Sequence, residues 1–503
     1  MIASSTTMFA RVLSGAALLG VRQIAGLLGT VGAAFFLIRT YGLGGYGQLT
    51  LAMGVSGMFG ILAGNYDEVL RRFLPEYLSR GARSHAAGLV RSVLSIRFCT
   101  TGIAALALAI SSGHLEELYE GVGVDRALFV LASVQVVTSS FERTVASLFS
   151  GMQLYRPLAV IAVVQATGTV LIALYAWLGG VGLRDYYLAW LVFNLGVGAV
   201  SLVAGVAKVI RSFPSEDATP RDHGRELRRH LSYAVPLWGS WIGSVAYQHL
   251  ARSVLGAFAP ASAVGAYSLA KSAVEQLVGV VMQVPTAMLP AFSDLATESG
   301  ARVAAHRIEA VSRLAGPIMA ASLIVVICLA EEVLSVFAGT DATFVAGIFA
   351  LLVLQVPARI LTSIWGTLYF IHERTSLVLK LNLLRVIALA GVGALLAATL
   401  GVDGAAWSET VAFGLGYAFV VATAPRHLAV PSSAVVRGGR LGFALLLGAA
   451  LVIRFGHPPM IWRIALALGA LACMVPVVGG RMRRLRTAEA VDDLIGRQPL
   501  RRT

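Results

Sequence analysis

Apolar runs about 20 residues long recur from one end of the chain to the other, separated by short polar or glycine-rich breaks. A helix of that length crosses the roughly 30 Å hydrocarbon layer of a bilayer. The pattern predicts about fourteen spans, near 14–38, 47–69, 88–110, 125–150, 157–178, 186–208, 232–256, 265–290, 308–330, 343–370, 377–399, 404–424, 438–454 and 460–479. Arg11 precedes the first run, which has no small-residue cleavage site, so it reads as an uncleaved helix.

The breaks carry the orientation. Taking the N-terminus as cytoplasmic, the breaks on that side hold Arg71, Arg72, Arg80 and Arg83, then Arg156, Arg211, Arg221, Arg225, Arg228 and Arg229, then Arg302, Arg307, Arg374, Arg426 and Arg437. Opposite breaks are poor in basic residues, and some are acidic, with Glu116, Glu117 and Glu120 in one and Glu331, Glu332 and Asp341 in another. Basic loops stay in the cytoplasm, which predicts both termini inside. The longest polar break, Ser212 to His230, suggests a division: a first lobe at 1–211, a linker at 212–231 and a second lobe at 232–425. Two further helices at 426–480 and a basic tail at 481–503 follow.

Composition narrows the class. Of 503 residues, 57% are hydrophobic and 13% charged. A soluble domain needs about a quarter charged, so an all-α polytopic membrane protein is expected. The net charge of +14 is spread between spans. It fits anionic lipid head groups rather than nucleic acid. Cys99, Cys328 and Cys473 have no metal-site spacing. Gly42 to Gly47 fits a dinucleotide-loop pattern but follows a membrane span rather than a strand. The chain has no phosphate-binding lysine loop, zinc-protease motif or hydrolase elbow. No enzyme, metal or cofactor is expected, so an ion gradient or the membrane potential would supply the power.

Internal repetition is visible. Gly47-Gln48-Leu49-Thr50-Leu51-Ala52 resembles Gly265-Ala266-Tyr267-Ser268-Leu269-Ala270, and Ser150 to Tyr155 resembles Trp365 to Phe370. A weaker pair is Leu178 to Gly182 and Leu400 to Gly404. The near-constant offset spans six expected helices, predicting lobes of like orientation related by an axis along the membrane normal, with a cavity between them.

With these residues in view, the chain resembles the polysaccharide exporters and O-antigen flippases of the multidrug/oligosaccharidyl-lipid/polysaccharide superfamily. The resemblance is carried by Tyr46-Gly47, Arg72-Phe73-Leu74-Pro75-Glu76-Tyr77, Ser150-Gly151 before Arg156, Val264 to Ala270, Pro290 and Gly404-Ala405-Ala406. It implies a MATE-like fold of two lobes with two extra C-terminal helices. It also implies a transporter moving an undecaprenyl-diphosphate-linked glycan across the cytoplasmic membrane, beside a polysaccharide polymerase and glycosyltransferases. One departure is Ala251-Arg252-Ser253-Val254-Leu255-Gly256, which lacks the aspartate that members often place before the arginine.

A diphosphate crossing hydrocarbon needs a wet cationic path, and the planar fork of arginine suits phosphate. A charge at mid-span costs about 2.5–3.5 kcal/mol on insertion scales and so defaults to function. The expected substrate-binding residues are Arg22, Gln23, Gln248, Arg252, Lys271 and Arg359. Snorkelling or structural pairing is the alternative for each. Glu275 lies one turn beyond Lys271, either as its salt-bridge partner or as a coupling carboxylate. Asp67 and Glu68 offer the same choice with Arg71 and Arg72 nearby, and pairing is favoured there. His249 is a coupling group or a helix-bridging histidine. Two relatives in function, a lipid II-type flippase and a MATE-like drug/ion antiporter, fit the same pattern. A membrane polymerase or polyprenyl glycosyltransferase would need a larger outer loop than the stretch near Ser111 to Val124.

Overall fold

A computed structural model describes residues 2–211, 223–282, 301–371, 374–427, 432–437, 440–456 and 458–485. The resemblance residue Pro290, most of the expected linker and most of the basic tail lie outside them. Among the described residues the chain is helical and contains no strand. The chain divides into two compact units, Met1–Gly265 and Ala266–Thr503.

In the first unit, α1 (Ile2–Phe59) joins the first two expected spans through a kink at Gly42, whose φ of 67° suits glycine. The second of these helices ends at Phe59, not near residue 69 as the apolar pattern suggested. Turns at 60–64 follow, and a separate amphipathic helix, α2 (Glu68–Ser79), begins at Glu68. Hydropathy alone merged them because the turn residues Ile61, Leu62 and Ala63 are themselves apolar.

α3 (Arg83–Leu118) has 36 residues, about 54 Å at 1.5 Å per residue, and so exceeds the bilayer's hydrocarbon. Most of the outer stretch expected as a loop at 111–124 is thus the end of α3 and a short 3-10 turn. α4 (Arg126–Gly151), α5 (Tyr155–Gly179), α6 (Leu183–Arg211) and α7 (His223–Gly256) complete this unit's long helices. α7 lies in the first compact unit and packs along α1.

One pair of repeat turns meets inside this unit. A Cβ on Gly47 would collide with the Ala261 carbonyl, and one on Gly265 with the Leu43 carbonyl. The glycines shared by the two repeated sequences therefore permit backbone-to-backbone contact that any other residue would block.

The second unit contains most of α8 (Ala261–Val281) and α9 (Ala301–Cys328). The expected span at 343–370 is two helices, α11 (Ala342–Val353) and α12 (Gln355–Ile371), preceded by a short α10 (Ala330–Ala338). Pro357 has no N–H to continue an incoming helix, which fits a boundary just before it. α13 (Thr375–His427) joins two expected spans through Gly401, at φ 58°. A short α14 (Ser432–Arg437) precedes α15 (Arg440–Gly456) and α16 (Met460–Leu485), which correspond to the expected additional helices. Arg454 grips Asp403 at 2.8 Å, and Arg463 grips Glu331 at 2.7 Å. The additional helices are thereby tied to α13 and α10 by ion pairs.

Candidate functional site

The first unit places several charged residues at the interruption between α1 and α2. In the turns that follow α1, carbonyls no longer receive the regular helical N–H bonds. Arg97 from α3 donates to the carbonyls of Ala63 at 2.9 Å and Gly64 at 2.6 Å. Thr100 also donates to Ala63, at 2.8 Å. Asp67 lies beyond the break, buried, with Arg97 at 3.7 Å and the Ser147 hydroxyl donating at 3.1 Å. Glu68 opens α2 and pairs with Arg71 at 2.9 Å. The two acids proposed as alternatives between coupling and pairing are thus both placed against arginines.

Arg22 is half-buried on α1, and Gln23 beside it is exposed. Arg22 lies within the fields of Arg71 and Glu142. Glu142 accepts a hydrogen bond from Gln165 at 3.0 Å, while its neighbour Arg143 stacks over the Trp241 ring at 4.8 Å. On α7, Arg252 is half-buried and donates to the Thr50 carbonyl at 3.1 Å. Gln248 is exposed and His249 half-buried. The His249 ring lies where a side chain at Gly57 would be.

The second unit pairs its cations with acids. Lys271, 2% exposed, faces Glu409, 1% exposed. Tyr267 also donates to Glu409, and Gln355 donates to its other oxygen at 2.7 Å. Arg359 makes a two-pronged contact with Glu275 at 2.7 and 3.0 Å. The salt bridge expected between Lys271 and Glu275 is therefore replaced by two crossed pairs: each residue finds its partner on another helix instead of one turn away. Arg359 and Arg385 both lie over the Phe413 ring, at 5.3 and 4.7 Å.

Glu409 and Arg385 were missed in the sequence. The signal was available, because both fall inside expected spans, where the same insertion cost that singled out Lys271 applies. Gln355 and Tyr267 carry no comparable signal, since amides and phenols are ordinary at helix contacts and span ends. Among the described residues, no group of three or more His, Cys, Asp or Glu is placed to hold a metal ion.

Chemically, the first unit offers guanidiniums bonded to neutral carbonyls, at Arg97 and Arg252, beside others paired with carboxylates, at Arg71 and Arg229. The second offers cations neutralised by carboxylates.

Comparison with known proteins adds to this geometry. Residues 12–296 match the family model described as polysaccharide biosynthesis protein. No curated protein matches the chain by sequence. The fold is similar to that of the lipid II flippase MurJ in an inward closed conformation, with TM-score 0.67 and 12% identity over 94% of this chain and 99% of that one. It is also similar to an inward-facing MATE family multidrug resistance transporter of the MOP superfamily, with TM-score 0.52 and 14% identity over 81% and 97%. The Vibrio cholerae MATE transporter VcmN gives TM-score 0.52 and 16% identity over 83% and 99%. At such identities the likeness is one of fold, and it bears out the MATE-like architecture expected from the sequence.

Proposed function

The chain belongs to the polysaccharide biosynthesis protein family, and from that premise we propose that it moves a polyprenyl-diphosphate-linked oligosaccharide across the cytoplasmic membrane by alternating access. The observation that carries this reading is the family match over residues 12–296, the segment that holds Arg22 and Arg252. Both are half-buried guanidiniums on long apolar helices, suited to a diphosphate through paired, charge-assisted hydrogen bonds. Lys271 and Arg359 present little net charge, because each faces a carboxylate. Their role in this reading is to hold the helices of the second unit in register. An ion gradient or the membrane potential drives the cycle, a glycosyltransferase supplies the substrate and a polymerase consumes it.

Depletion of the protein, followed by labelling of lipid-linked glycan on the outer face of the membrane, tests the proposal. Outward labelling falls as substrate accumulates inside; unchanged labelling rejects the reading. Arg22→Ala and Arg252→Ala, at normal protein levels, each reduce the labelling. Normal labelling in both removes the assignment of these arginines.

A further inference from the structure

A second cationic feature lies apart from Arg22 and Arg252. α2 buries Val69, Leu70, Phe73, Leu74 and Tyr77 in the first unit, which turns its polar side outward. On that side Glu76 gathers three guanidiniums: Arg72 at 3.5 Å, Arg80 at 3.2 Å and Arg229 at 3.2 Å. Arg229 comes from α7, far away in sequence. Arg72 and Arg229 both lie over the Phe73 ring, at 5.4 and 4.8 Å. α7 is held there by His230, which packs on Phe73 at 4.9 Å between ring centres and shares a 3.1 Å hydrogen bond with Tyr77.

The exposure of these groups is uneven. The side chain of Glu76 is 15% exposed, whereas those of Arg72, Arg80 and Arg229 are 54%, 66% and 49% exposed. The carboxylate is an inner anchor and the guanidiniums face outward from it. Three positive charges stand about the Glu76 carboxylate, and Glu226 on α7 adds a second acid near Tyr77. Each guanidinium has five N–H donors, more than one carboxylate can accept.

We propose that Arg72, Arg80 and Arg229, gathered on Glu76, form a docking site for the diphosphate head of the lipid-linked substrate before it is transported. This identification of the ligand rests on the transport reading above. A diphosphate diester carries two negative charges for the three guanidiniums to share, whereas an ordinary anionic phospholipid such as phosphatidylglycerol carries one. The distribution of basic breaks assigns this end of the unit to the cytoplasm, the side on which such a substrate is made. The ring of Phe73 and the α2–α7 contact fix two of the forks in advance, so less freedom is lost when the ligand docks.

The test titrates the full-length protein, in phosphatidylcholine nanodiscs, with farnesyl-diphospho-N-acetylglucosamine, a short diphosphate diester. Arg72→Gln, Arg80→Gln and Arg229→Gln each weaken binding by roughly three- to tenfold, the loss of one charge-assisted contact. Glu76→Gln strengthens it, because the competing carboxylate charge is gone. A purely structural cluster predicts the opposite sign for Glu76→Gln, since losing the anchor would loosen all three arginines. Arg229→Lys retains more affinity than Arg229→Gln, which separates charge from folding. Unchanged affinity in the three arginine variants overturns the site, and so does weaker binding in Glu76→Gln. Equal competition by phosphatidylglycerol also overturns it, by making the cluster a general anionic-lipid contact. The depletion experiment stands separately: if outward labelling needs the protein but the variants bind normally, this docking site fails and the transport reading survives.

Discussion

The two units handle charge inside apolar helices in different ways. In the first, Arg97 donates to the carbonyls of Ala63 and Gly64 at the break that follows α1, with Asp67 at 3.7 Å, and Arg252 donates to the Thr50 carbonyl within α1. In the second, Lys271, Arg359, Arg454 and Arg463 each face a carboxylate. A carbonyl satisfies a donor without cancelling its charge. A carboxylate cancels it. On the proposed transport reading, arginines of the first unit serve the substrate and the cations of the second serve rigidity.

The buried pair in the second unit gives the largest expected effect. Glu409→Ala leaves Lys271 charged and without its carboxylate, and should destabilise the protein by about 3–5 kcal/mol. Lys271→Met combined with Glu409→Leu should recover most of that loss, since an apolar pair of similar volume is often neutral. Thermal unfolding in detergent measures both. If the double variant is stable and transports, the pair is structural. If it is stable and inactive, the pair takes part in coupling and the contrast between the units narrows.

The backbone contact between repeat turns comes next. Gly47→Val or Gly265→Val forces a side chain into a facing carbonyl and should cost about 1–3 kcal/mol. Arg252→Met should sharpen the comparison from the other direction. It removes the bond to the Thr50 carbonyl, which by itself contributes about 1 kcal/mol to stability, while outward labelling should fall severalfold. A loss of stability as large as that of Glu409→Ala would show that the first unit's arginines are structural as well.

A smaller effect concerns pH. His230 precedes the seventh expected span, and its pKa is pushed down from 6.5 to about 4, first by burial and then by Arg229, with Glu76 opposing. The neutral ring is the form that packs. Above about 6.5 the packed and unpacked states are both neutral, and the contact contributes fully. As the pH falls from there towards about 4, only the unpacked ring takes up a proton, so the α2–α7 contact weakens. Proteolysis between α2 and α3 should therefore increase from pH 7.5 to pH 5, and His230→Phe should flatten that dependence.

Much of the architecture was legible because a bilayer imposes a simple rule on length and polarity. The helical class, most of the spans, the glycine turns and the two additional C-terminal helices were all readable from apolar run length. The failures came where that rule loses force. Ile61, Leu62 and Ala63 are apolar yet lie in turns, and the stretch at 111–118 is polar yet helical. The first break is stabilised by a side chain from another helix, Arg97, which no window of local sequence contains.

The sequence by itself determined that charges stand inside spans, which residues they are and that the chain repeats, because insertion cost and periodicity are properties of the linear order. It did not determine who faces whom. Only the tertiary structure gave Lys271 to Glu409, Arg359 to Glu275 and Arg97 to the carbonyls of Ala63 and Gly64. The physical reason is that interactions between charges depend on separation in space, and helix packing places residues side by side that lie tens or hundreds of positions apart.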